Sequence, residues 1–173
     1  MRRLVFLFGV VLLTSCAREI STDTSSDNEA MRTLVYEHEI GVPVSAAWAV
    51  FADFGGFAQW NGLPMTLEIA GQGVGMTRSM DIPGIGRVSE RLDQRDDTNM
   101  KLAYALVEGN PLGMVEYRAE VTLSAAGKDR TLIKWRGEFQ GNPGADLDQM
   151  AADLTASYKG MSEALGSFVA QRP

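Results

Sequence analysis

Between Leu63 and Gly141, six short segments with strand-like composition follow one another, separated only by brief clusters of turn residues. The segments are Met65–Ala70, Met76–Ile82, Arg87–Gln94, Met100–Glu108, Val115–Ser124 and Arg130–Gln140. The turns between them hold Gly71–Gly75, Pro83–Gly86, Asp96–Asn99, Gly109–Gly113 and Ala125–Asp129. Such connections are too short for crossover helices, so the strands must form an antiparallel meander. The period then changes. After Pro143-Gly144, apolar residues recur at steps of three and four through Leu147, Met150, Ala151, Leu154, Tyr158, Met161, Leu165 and Phe168. That pattern predicts one amphipathic helix of about 24 residues, roughly 36 Å long. Asp146 with Gln149 three residues on suits a capping box at its start.

The chain upstream of the meander adds one strand and two short helices. Thr33–Gly41 alternates, with Leu34, Tyr36, His38 and Ile40 on one side, as in a half-buried strand. Pro43 ends it, and Ser45 is placed to cap a helix over Ala46–Ala52 that turns Trp48 and Phe51 inward. A second helical turn around Phe54–Trp60 is weakened by Gly55 and Gly56, so a broken helix or tight loop is expected there. The expected architecture is α+β with seven antiparallel strands and a long terminal helix.

The first thirty residues have a different character. Arg2 and Arg3 precede an apolar run, Leu4–Leu13, about half the length of roughly 20 residues that a bilayer span requires. The run closes on Leu13-Thr14-Ser15-Cys16, which resembles the lipobox of bacterial lipoproteins and implies acylation of Cys16, the sole cysteine. A plain secretory signal cut after Ala17 is the alternative. One cysteine cannot form an internal disulfide. Several acyl chains would anchor the protein stably where one would not. Arg18–Ala30, polar and without period, is expected to be a disordered tether. The organisation expected is therefore 1–15 signal peptide, 16–30 lipidated cysteine and tether, and 31–173 a single ligand-binding domain. The location is the cell envelope. Ala17 after the cysteine, by resemblance to enterobacterial sorting, slightly favours the periplasmic side of the outer membrane.

The order of elements and a set of local motifs resemble the SRPBCC (START-like) superfamily, in particular its bacterial polyketide cyclase/dehydrase and lipid-transport branch. The motifs are Val42-Pro43-Val44-Ser45-Ala46-Ala47-Trp48, Phe54-Gly55-Gly56-Phe57-Ala58-Gln59-Trp60, Gly73-Val74-Gly75-Met76-Thr77-Arg78, Glu90-Arg91-Leu92, Tyr104, Tyr117 and Trp135. The resemblance implies a helix-grip fold, in which a curved seven-stranded sheet wraps the long C-terminal helix. It also implies a domain of a kind found both in enzymes and in plain carriers.

Strand pairing can be worked out from the turns. Centring the Pro83–Gly86 turn at Gly84 sets Met80 opposite Val88 and Arg78 opposite Glu90. Centring the next turn at Asp97 sets Glu90 opposite Tyr104 and Leu92 opposite Leu102. Directly opposed side chains sit about 5 Å apart at Cβ and must interact. A row Arg78–Glu90–Tyr104 then rises from an apolar face, with Tyr117 joining it from the inward side of its own strand beside Val115, Ala119, Val121 and Leu123. Charges on such a face must pair or meet water in a cavity. An apolar hollow with a few converging polar groups is the usual make-up of a small-molecule site. The expected ligand contacts are Arg78, Glu90, Tyr104, Tyr117, Met80, Trp60 and Trp135. Arg78 and Glu90 suit equally a purely structural pair, and the tryptophans and methionines equally suit packing.

Several function classes drop out. A net charge of −6 and the lack of a basic stripe argue against nucleic acid. One histidine supplies no typical metal site, and no phosphate loop or nucleophile elbow is present, so no cofactor is expected. The candidates for acid or base work are His38, Glu90 and Tyr104, although His38 equally suits a lone core histidine bonded to a neighbour. Three functions remain. The first is a membrane-tethered module binding a small hydrophobic ligand or lipid between sheet and helix. The second is a cyclase or dehydrase working in the same cavity, and the third an envelope scaffold. A monomer is assumed.

Overall fold

The computed structural model describes residues 31–172. Cys16, the leader and the tether therefore lie outside the described residues. The elements run β1 (Arg32–Ile40), α1 (Val44–Phe51), a 3-10 turn (Phe54–Gly56), α2 (Phe57–Trp60), β2 (Thr66–Ala70), β3 (Thr77–Ile82), β4 (Gly86–Asp96), β5 (Lys101–Glu108), a second 3-10 turn (Pro111–Gly113), β6 (Met114–Gly127), β7 (Arg130–Gly141) and α3 (Leu147–Ala170). All seven strands form one antiparallel sheet in the order β1-β7-β6-β5-β4-β3-β2. Consecutive strands pair throughout the meander, and β1 closes against β7. The sheet grips α3, whose inner stripe of Met150, Leu154, Tyr158, Leu165 and Val169 is buried in the core. This is the helix-grip fold.

Caps and bulges refine the expected elements. Helix α1 starts two residues before its expected first turn: Pro43 holds the N-cap position and Ser45 lies inside the helix, without a side-chain cap. Pro43 has φ −59° and ψ 142°, an extended conformation that its ring favours, so it occupies the N-cap position although it offers no side-chain acceptor. At α3, Asp146 accepts from the amides of Asp148 and Gln149. The Gln149 side chain reaches forward to Asp153, so only half of the expected capping box forms.

Two register changes in β4 correct the pairing deduced from the turns. Arg78 opposes Glu90 and Met80 opposes Val88, as expected. Glu90, however, opposes Leu106, and Tyr104 stands opposite Leu92. Irregularities between Ser89 and Glu90 and between Leu92 and Gln94 shift the ladder. A bulge adds a residue to one strand without altering its composition, so counting outward from a turn cannot detect it. Glu90 and Tyr104 become diagonal neighbours on the same face. A similar shift between Met114 and Glu116 turns Val115 outward and gives its expected inward place to Met114, which is buried.

Candidate functional site

The site begins with a charge pair buried in an apolar wall. Arg78 is 5% exposed and Glu90 9%. Arg78 Nε donates to Glu90 Oε2 at 2.8 Å, and the Arg78 Nη2 lies 2.7 Å from the same oxygen. Both bonds end on one carboxylate oxygen, which leaves Oε1 to accept from something else. A third donor, Arg78 Nη1, reaches the Phe54 carbonyl at 3.3 Å.

The segment ahead of β2 supplies the pair's surroundings. Asp53 accepts from the Gly56 amide and so closes the 3-10 turn. A Cβ on Gly56 would meet that Asp53 carboxylate, so a larger residue there would push the Asp53 cap aside. The turn swings both flanking phenylalanines onto the guanidinium. Its carbon lies 4.0 Å from the Phe54 ring centre and 4.1 Å from that of Phe57, with Tyr104 at 5.2 Å. A desolvated cation between aromatic faces gains about 2 kcal/mol, which offsets part of the cost of its burial.

A cavity of about 140 Å³ opens beside this pair, between the sheet and α3. Met65, Met80, Ile82, Val88, Met114 and Leu154 supply apolar wall, and Arg78, Glu90, Tyr104 and Tyr117 are the polar groups that converge on it. The phenols form a small cluster of their own. The hydroxyls of Tyr117 and Tyr158 are 3.0 Å apart, and the rings of Tyr104 and Tyr117 meet edge to face at 6.2 Å. Burial pushes the pKa of Tyr104, Tyr117 and Tyr158 upward, because an ionised phenol is poorly solvated inside the protein. At neutral pH these residues are uncharged hydrogen-bonding groups.

Behind the cavity lies a void of about 10 Å³ that shares Phe57, Arg78 and Tyr104 with it and adds Trp60 and Trp135. This is near the minimum for one water molecule. Trp135 is fully engaged: its Nε1 donates to Ser162 at 2.9 Å and its ring stacks on Tyr158 at 4.8 Å. Trp60 is buried with its Nε1 unpartnered.

The structure thus brings Arg78, Glu90, Tyr104, Tyr117 and Met80 to one cavity and sets Trp60 and Trp135 one layer behind it. His38 does not join them. It lies half-buried on β1 opposite Ile133, its Nδ1 3.1 Å from the Tyr36 hydroxyl. It is not among the residues that line the cavity shared by Glu90 and Tyr104. The hydrogen bond to Tyr36 matches the structural alternative. Sequence reasoning missed Phe54, Phe57 and Tyr158 as parts of the site. Tyr158 was visible as part of the helix stripe, but nothing local to it announces that its hydroxyl meets Tyr117. What the arrangement can do chemically is hold an apolar body against a fixed charge pair and neutral phenols.

Residues 31–170 match the family model described as polyketide cyclase/dehydrase and lipid transport. Among solved structures, norcoclaurine synthase from Thalictrum flavum, in complex with dopamine and hydroxybenzaldehyde, superposes with a TM-score of 0.69 at 21% identity, covering 96% of this chain and 99% of that one. The XoxI protein from Bacillus cereus gives 0.71 at 17% identity, covering 82% and 97%. An uncharacterised protein from Bacillus thuringiensis gives 0.70 at 17%, covering 81% and 100%. Likeness at these identities extends to the fold alone. No curated protein is similar enough to count as a relative. The family match spans nearly the whole described domain, and on it the chain belongs to the polyketide cyclase/dehydrase and lipid transport family.

Proposed function

We propose that this protein is a membrane-tethered binding module that holds a small, mainly apolar ligand between its sheet and C-terminal helix, with the ligand's polar end on the Arg78–Glu90 pair. The observation that carries this reading is the buried pair itself, set at the edge of an apolar-walled cavity with Glu90 Oε1 uncommitted. A ligand hydroxyl or amine would find an acceptor there without disturbing Arg78. The volume of about 140 Å³ lies below the few hundred Å³ usual for drug-sized ligands, so the ligand is compact: one ring system or one short chain. The tether is the acylated Cys16, and the location is the cell envelope, with the periplasmic side of the outer membrane favoured by Ala17.

A neutral solvatochromic dye tests the cavity. Saturable one-to-one binding is expected for the parent chain, and loss of binding for Met80→Trp, which fills the cavity. Equal binding by both proteins would place the dye elsewhere and contradict the proposal.

A catalytic reading of the cyclase or dehydrase kind draws on the same cavity, because Glu90 and Tyr104 both line it. In that case Glu90→Gln should keep the ligand bound and abolish its conversion.

A further inference from the structure

We infer that the mouth of the cavity is pressed against the lipid surface, with Leu63, Ile85 and Leu112 as its contact points. The inference rests on the proposed acylation of Cys16 and on the cavity being a binding site.

Sheet register places every relevant segment at one end of the domain. Strand β1 enters at Arg32 opposite Phe139, and β7 ends at Gly141 opposite Met114. Strand β4 meets the end of β5 through Ser89 and Glu108, and β3 ends at Ile82 opposite Gly86. The chain's entry at Met31, the approach to β2, the β3–β4 turn and the β5–β6 loop therefore share that end. Leu63 is 51% exposed, Ile85 47% and Leu112 38%, and all three also line the cavity. Three loop tips thus carry large apolar side chains around one opening. Met31, where the tether would join, is exposed at the same end of the sheet, on its β1 edge. At the opposite end the large exposed apolar residues among those described are Val74 and, near the end of β2, Ile69.

Leu112 adds a second signal. Its φ of 57° lies in the left-handed region, which favours glycine and disfavours a residue with a Cβ. Local folding alone would be better served by glycine at this tip.

The point of attachment favours one orientation. Residues 17–30 link Cys16 to the domain, and the chain enters the domain at the mouth end, so an anchor on Cys16 holds that end toward the bilayer. Charge decides which lipids suit it. Near the rim, Arg87 is already paired with Glu68 and Asp81, and Arg32 with Asp148, while Glu108 and Asp146 add negative charge. Such a surface gains nothing from anionic headgroups, so the contact is apolar and made on zwitterionic lipid.

The test uses the full acylated chain reconstituted into phosphatidylcholine vesicles. Ile85→Cys, Leu112→Cys and, as the far-end reference, Val74→Cys are each labelled with an environment-sensitive thiol dye, Cys16 being blocked by its lipid. A nitroxide carried on the lipid should quench the dyes at 85 and 112 several-fold more than the dye at 74. Replacing a third of the lipid by phosphatidylglycerol should leave that ratio unchanged or lower it. Equal quenching at all three positions would overturn the orientation, as would rim dyes shielded from water but insensitive to the lipid quencher, the signature of two copies meeting mouth to mouth. A ratio that rises with phosphatidylglycerol would overturn the apolar nature of the contact. Vesicle flotation is read separately: a chain that does not float lacks the anchor, which overturns this proposal while leaving the cavity's dye binding intact.

Discussion

The Tyr158 hydroxyl of α3 lies over the bare α-carbon of Gly137 on β7, so close that a methyl group there would occupy its space. Glycine within a strand usually marks such a close approach. Here it lets the helix hydroxyl sink to the sheet and meet Tyr117 at 3.0 Å. Gly137→Ala should therefore cost about 1–3 kcal/mol by overpacking and break the Tyr117–Tyr158 contact. Chemical denaturation read by the near-ultraviolet circular dichroism of the aromatics would check both effects. A stability equal to the parent's would mean that α3 sits farther from the sheet.

The Arg78–Glu90 pair allows a test that separates binding from stability. Removing one partner strands the other charge, so Arg78→Met or Glu90→Leu alone should cost about 3–5 kcal/mol. Replacing both with these apolar residues should recover most of that loss, since a buried pair is often no better than packed hydrocarbon. If the pair holds the ligand's polar end, the double variant folds well and binds poorly. Full binding by a stable double variant would assign the pair to structure only.

Alkaline pH should unfold the domain cooperatively. Burial raises the pKa of Tyr104, Tyr117 and Tyr158 above the ordinary value of 10.0. Below that value the phenols are protonated in both states, and stability does not depend on them. Above it the unfolded chain releases phenolic protons that the folded chain retains, so stability falls as pH rises, by up to about 1.4 kcal/mol per pH unit for each phenol. Spectrophotometric titration should show at most one of the four tyrosines ionising before the unfolding transition. Early ionisation of two or more would contradict the burial.

Leu112→Gly offers a contrast. It relieves a left-handed residue at a strain of roughly 1–2 kcal/mol, removes little packing from an exposed tip and loosens the unfolded chain. Thermal unfolding should move by only a few degrees in either direction, while quenching of the dye at residue 85 by lipid nitroxide should fall. A large loss of stability would make Leu112 a structural residue of the cavity wall.

Much of this site was legible in the sequence, for identifiable reasons. Alternation and turn chemistry put Arg78 opposite Glu90, because the β3–β4 hairpin is short and its ladder is regular from Thr77 to Ile82. The same arithmetic misplaced Tyr104 by two residues, because the bulges in β4 leave no compositional trace. The 24-residue terminal helix followed from a long, unbroken period. The break expected at Gly55 and Gly56 is there, as a 3-10 turn ahead of a short helix, but nothing in the sequence showed that this turn folds the rings of Phe54 and Phe57 onto a cation. His38 occupies the face that alternation gave it, yet β1 is at the sheet edge, far along the strand order from β3 and β4, and sequence offered no way to see that separation.

The claim that the cavity holds a ligand is tested most directly by native mass spectrometry of protein extracted in mild detergent. The parent chain should carry one small apolar species beyond the polypeptide and the lipid proposed for Cys16, and the Arg78→Met/Glu90→Leu double variant should lose it. A mass that holds no such species in either protein would contradict the account.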